Sequence, residues 1–137
     1  MKKYRNKYLE KLGRGWACTE NVLYKMKGDK RSKKWKKERR KYGGYDERCT
    51  WQLNDFMNEQ IYTWLKLYMK HSEKVIDLNN IYKIDEREMT ESEAILLVIS
   101  DLEYWLNNHR NPGDEKSYEK VKEAYRIIGI IMPTLWW

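Results

Sequence analysis

Residues 50–71 read TWQLNDFMNEQIYTWLKLYMKH. Leu53, Met57, Ile61, Trp64 and Tyr68 recur at spacings of four and three, Phe56 and Leu65 widen the stripe, and no Pro or Gly interrupts it. Residues so spaced share one face of an α-helix, so the stretch predicts an amphipathic helix of about six turns. Downstream, Thr90 and Glu93 in TESE form a capping box, in which each side chain can satisfy the other residue's free backbone N–H. The helix that it starts carries Ile95, Ile99, Leu102 and Leu106, with Leu96, Val98 and Trp105 beside them. Asn111-Pro112-Gly113-Asp114 is a turn followed by a helix cap, and a last helix with Tyr118, Val121, Tyr125, Ile128 and Met132 stops at Pro133. Three helices with apolar stripes must bury them against one another, which predicts a mainly α fold, a compact helical bundle. Residues 72–89 are mixed and admit an irregular loop, a short helix or one short hairpin near 75–89.

Upstream the pattern changes. Residues 2–12 predict a short basic helix with Tyr4, Tyr8, Leu9 and Leu12 on one face, punctuated by Gly13 and Gly15. A second helical stretch starts near Thr19 and runs through Val22, Leu23 and Met26 to Gly28-Asp29. Residues 30–42, KRSKKWKKERRKY, contain good helix formers but only Trp35 and Tyr42 as an apolar stripe. Gly43-Gly44 ends this segment, so the expected organisation is a basic helical segment, 1–42, joined to a bundle body, 43–137.

The charge is divided in the same way. Residues 1–41 hold 17 Lys and Arg against four acids, and the remainder holds 11 against 17, which together give the net +7. Such asymmetry suggests a polyanion-binding segment on an acidic body, or a basic segment that docks on that body. A chain of 137 residues suits one domain with one core. Neither a stretch of about 18 apolar residues nor a secretory apolar region is present, so a cytoplasmic protein is expected. Cys18 and Cys49, 31 positions apart, are expected to be free thiols rather than a disulfide or a metal site.

Residues 25–41 carry 11 cations and two acids. That density repels itself unless counter-charge is near, and neutralising phosphates with it releases condensed counterions. The expected ligand-binding set is Lys33, Lys34, Lys36, Lys37, Arg39 and Arg40 for phosphates, with Trp35, Tyr42 and Tyr45 to stack on a base. In Asp46–Arg48–Thr50–Trp51, Arg48 is a candidate to grip a phosphate beside a helix start. The more economical reading of that segment has Asp46 or Thr50 capping and Trp51 packed under the turn. The tail RIIGIIMPTLWW is too short to span a bilayer, and Trp136 and Trp137 are expected to close the bundle or to form a homo-oligomer interface rather than to anchor to a membrane. His71 and His109 are isolated, and no HExxH, GxSxG, GKS/T or HxE with PCxxC element occurs. A non-enzyme without cofactor or metal is expected.

At YDERCTWQLN, and again in the final LWW, the sequence resembles a group of small uncharacterised phage and prophage proteins. Those have an Asp–Asp/Glu–Arg–x–Thr–Trp–x–Leu–Asp segment that opens a long helix, and a Leu-Trp-Trp-like tail. The matching positions are Asp46, Glu47, Arg48, Thr50, Trp51 and Leu53, then Leu135, Trp136 and Trp137, while Asn54 stands where that pattern has Asp. The resemblance covers roughly 43–137 and implies a phage origin and a helical fold, with no activity attached. With the charge and the aromatics, it leads to an expected phage counter-defence protein, at work in the cytoplasm of an infected bacterial host. Its leading mode is sequestration of an anionic nucleotide immune signal. The alternatives are a DNA- or RNA-binding accessory protein, including an inhibitor of an RNA-guided nuclease, and a protein–protein inhibitor whose basic arm meets a host defence protein.

Overall fold

The computed structural model describes residues 6–12, 28–72, 78 and 80–135. Its elements are α1 (Lys7–Lys11), α2 (Ser32–Lys41), a 3-10 helix (Glu47–Thr50), α3 (Leu53–Ser72), β1 (Ile81–Ile84), β2 (Arg87–Thr90), α4 (Glu91–Asn108), α5 (Glu115–Ile131) and a second 3-10 helix (Met132–Thr134). The fold is mainly α, with one small hairpin. The chain forms two compact units, Met1–Ile61 and Tyr62–Trp137, with the boundary inside α3. The helix expected from Thr19 lies outside the described residues.

In the first unit, α1 is capped by Asn6, whose side chain accepts from the Tyr8 and Leu9 amides at 3.1 and 3.2 Å. Leu9 is buried. Helix α2 ends where the sequence predicts: Gly43 takes φ +66° and the Gly44 amide donates to the Arg39 carbonyl at 2.7 Å. That six-to-one bond with a left-handed residue before it is a Schellman closure, and only glycine adopts this backbone cheaply. The expected joint is therefore a tight turn that lies inside the first unit.

The buried face of α3 differs from the predicted one. Of the predicted stripe, Leu53, Met57 and Trp64 are exposed and Ile61 and Leu65 are buried, and the rest of the buried face is Asp55, Asn58, Glu59, Gln60, Tyr62, Met69 and Ser72. Both sets obey helical spacing and lie roughly a third of a turn apart at 100° per residue. Apolar residues occur on both faces of this helix, so periodicity alone has two solutions.

In the second unit the capping box forms as expected: the Glu93 amide donates to Thr90 Oγ1 at 3.1 Å, and the Thr90 amide to Glu93 Oε2 at 2.9 Å. Helix α4 buries Ala94, Ile95, Val98, Ile99, Leu102, Trp105 and Leu106. Helix α5 starts at Asp114, which accepts from the Ser117 amide at 3.1 Å, and packs antiparallel on α4 across the short turn. It buries Ser117, Ala124, Ile127, Ile128 and Ile131. The predicted α5 stripe is displaced too, by about a quarter of a turn, since Tyr118, Tyr125 and Met132 are exposed while its Ile128 is buried. Small Ser117 and Ala124 let the backbones approach, and the bulkier Tyr118 and Tyr125 are exposed. Strands β1 and β2 pair antiparallel with Ile84 opposite Arg87, and Ile84 and Met89 are buried. Asp85 tolerates φ +57° at the turn and is held there by Arg126 at 2.9 Å.

Asp101 on α4 is 1% exposed. Burial and the neighbouring Glu123 carboxyl push its carboxyl up to about 7, and Lys120, 3.3 Å away, opposes them only in part. A carboxyl raised in the folded state favours folding below its unfolded pKa, and that contribution is lost as the pH rises from about 4 to about 7. Asp101→Asn is accordingly expected to gain roughly 1–3 kcal/mol over the wild type at pH 8 and little at pH 4. Urea unfolding at the two pH values measures this. A loss of stability at pH 8 would mean that the ion pair with Lys120 outweighs burial.

Candidate functional site

The described part of the lysine-rich run is a helix pinned by one side chain. Trp35 is the only buried residue of α2 and is 1% exposed. Its indole Nε1 donates to Glu47 Oε1 at 2.7 Å. The Arg48 guanidinium lies 4.1 Å from its ring centre, Arg31 lies 4.9 Å away, and Trp51 stands edge-on at 6.0 Å and 74°. A cation over an indole face is attracted by the ring quadrupole, the more so when water is excluded.

Acids just beyond the turn hold the rest of that face. Lys34 Nζ meets Glu47 Oε2 at 2.7 Å, and Arg39 meets Asp46 Oδ2 at 2.8 Å. Glu38 Oε2 accepts from the Glu47 amide at 3.0 Å. Arg48 clasps Asp46 through Nε at 3.0 Å and Nη2 at 2.7 Å, while the Asp46 side chain also caps the 3-10 helix by accepting from the Arg48 amide. Burial pulls the Asp46 carboxyl upward, but the hydrogen bonds from Arg48 and Arg39 outweigh it and hold it below its ordinary value. Lys34 and then the Trp35 indole lower that of Glu47 likewise.

This geometry divides the expected binding set. Trp35, expected to stack on a base, is buried beneath guanidinium groups, because an indole offers more apolar area to bury than any neighbour on this charged helix. Arg48, expected to grip a phosphate, is spent on Asp46, and its side chain is 7% exposed. Lys34 and Arg39 are paired with Glu47 and Asp46. The capping role of Asp46 matches the more economical sequence reading, whereas Trp51, expected under the turn, is half exposed. What stays open is the other side of α2. Lys33, Lys36, Lys37, Arg40 and Lys41 are exposed and make no ion pair among the described residues. Lys33, Lys34, Lys37, Glu38, Lys41 and Tyr42 line an open recess of about 400 Å³. Tyr42 is exposed, with Lys41 Nζ 5.2 Å from its ring centre, and the partly exposed Tyr45 packs edge-on to Phe56 at 5.9 Å.

Lys41 was not in the expected set, although the spacing Lys33–Lys37–Lys41 places all three on one helix face. Trp51 and Arg31 were missed too. Nothing in their spacing marks them, since they meet only through the folded turn.

Cys49 is a buried free thiol, and burial pushes it up. Among the described residues no group of three or more His, Cys, Asp or Glu could hold a metal ion, and no helix is long and apolar enough to cross a membrane. No protein-family model, no curated protein and no solved structure matches the chain.

Proposed function

We propose that this chain is a non-enzymatic binder of phosphate-rich polyanions and that the open face of α2 is its contact surface. The observation that carries this reading is the exposed row Lys33, Lys36, Lys37, Arg40 and Lys41, without an ion pair among the described residues, on a helix whose other side is locked in place. The acids just beyond the turn, Asp46 and Glu47, pair with Lys34, Arg39 and Arg48, and these five cations are exposed. They extend over about 12 Å of helix, a length that follows a nucleic-acid backbone better than it encloses one nucleotide. With the resemblance of residues 43–137 to small phage proteins, the role proposed is counter-defence in an infected bacterium, by occupying nucleic acid or the nucleic-acid surface of a host defence complex. One observation favours a second reading, nucleotide sequestration: the recess beside Tyr42 is of ligand size and lined by four lysines. The homo-oligomer expected from the tail belongs to that reading, and Trp136 and Trp137 lie outside the described residues.

Fluorescence anisotropy with labelled single strands, duplexes and a nucleoside triphosphate tests both. If five cations each neutralise one phosphate, affinity for a single strand falls on the order of 10²-fold between 50 and 200 mM salt. Reversing Lys33, Lys36, Lys37 and Arg40 to Glu abolishes binding at the higher salt and flattens that slope. Retained affinity in the reversed variant overturns the polyanion reading. Tight, weakly salt-dependent binding of the triphosphate alone decides for sequestration.

A further inference from the structure

Among the described residues of the first unit, the aromatic side chains Tyr42, Tyr45 and Trp51 are exposed, and they differ in how firmly they are held. Trp51 is 50% exposed although it is the largest of the three. Its ring stands edge-on to Trp35, and the Arg31 guanidinium lies 5.2 Å from its centre. Arg31 is itself fixed: Nε donates to Asp29 Oδ1 at 3.0 Å and Nη2 to Asp29 Oδ2 at 2.9 Å. An indole backed by a pinned guanidinium and propped on a buried ring is restrained before any ligand arrives, so stacking on it loses little side-chain freedom. Arg31 immediately precedes α2, so the indole stands at the N-terminal end of that helix, on the side of Trp35.

We propose that Trp51 is a stacking platform for an unpaired base, which makes the preferred ligand a single-stranded nucleic acid. The strand crosses the N-terminal end of α2, with its phosphates on the open side from Lys33 onward and one base on the indole. The inference rests on the polyanion reading of α2 and adds to it the distinction between single and double strands. A duplex satisfies the lysines equally well but offers no free base face, since its bases are stacked on each other. Sugar identity plays no part in such a contact, so DNA and RNA share the chemistry.

Titration of labelled dT and U oligomers, with a duplex of equal length, tests this by anisotropy. Trp51→Ala is expected to weaken both single strands about tenfold, to leave duplex affinity within about twofold, and to keep the salt slope. Trp51→Phe, which keeps a ring on Trp35, is expected to recover most of the loss. The difference in tryptophan emission between the wild type and Trp51→Phe is expected to be quenched by the single strand and not by the duplex. Unchanged single-strand affinity in Trp51→Ala overturns the proposal. So does an equal loss on single strand and duplex, which would mean that Trp51 merely supports the fold of α2. Loss on dT with none on U, or the reverse, overturns the claim that the sugar is not read. Absence of wild-type binding to every strand overturns the polyanion reading itself and this inference with it, whereas duplex binding without a Trp51 effect leaves that reading standing.

Discussion

Trp35→Ala is expected to release the basic helix from the protein, at a loss of about 3–5 kcal/mol for the buried indole and the cavity that it leaves. No other residue of α2 is buried, so nothing else on the helix takes over. A ten-residue helix with seven cations does not persist alone in water, because nucleation is unfavourable and like charges repel. The loss removes three contacts together: the bond to Glu47, the Arg48 guanidinium over the ring, and the edge of Trp51. Hydrogen exchange across 32–44 is the measurement, with the amides of Trp35, Tyr42 and Gly44 losing protection while those of α4 and α5 keep theirs. Trp35→Phe retains a ring but not the donor and should fall between. Native protection of 32–44 in the alanine variant would show that the ion pairs, not the indole, hold α2.

Asp46→Ala is expected to have an effect of similar size, about 3–5 kcal/mol, because removing one side of a buried pair leaves the other charge unpaired. The Asp46 side chain has no exposed surface and accepts from Arg39, from Arg48 twice and from the Arg48 amide. Without it, a largely buried Arg48 faces Trp35 with no counter-ion. Asp46→Asn keeps a capping oxygen but loses the charge, and about half of the effect is expected. A carboxyl held below its ordinary pKa contributes fully above that value and loses the contribution as the pH falls through its lowered one. The difference between wild type and Asp46→Asn in urea should thus stay flat from about pH 8 to 5 and shrink below about pH 4. A difference that persists at pH 2 would assign the role of Asp46 to shape rather than to charge.

Local signals were legible before folding. The Thr90–Glu93 box, the Asn111–Asp114 turn, the glycine pair after Tyr42 and the partition of charge each depend on residues a few positions apart, where backbone sterics and capping decide alone. Helix positions, the mainly α class and the location of the basic helix followed from them. The hairpin was one of three options for its stretch, because two four-residue strands carry too short a pattern to choose by.

The sequence by itself thus determined where helices start and stop and where the cations lie. Only the tertiary structure decided which cations remain available and which indole is open. The residues that settle both questions, Glu47 against Lys34 and Trp35, and Asp46 against Arg39, are 7 to 13 positions apart across a turn. Their pairing depends on the direction in which that turn returns the chain. The local sequence shows Trp35, Trp51 and the seven cations of α2 without saying which of them the acids will reach. The basic run expected to bind as a whole is instead neutralised along one side of α2, and the proposed contact surface is the side that the fold leaves in solvent.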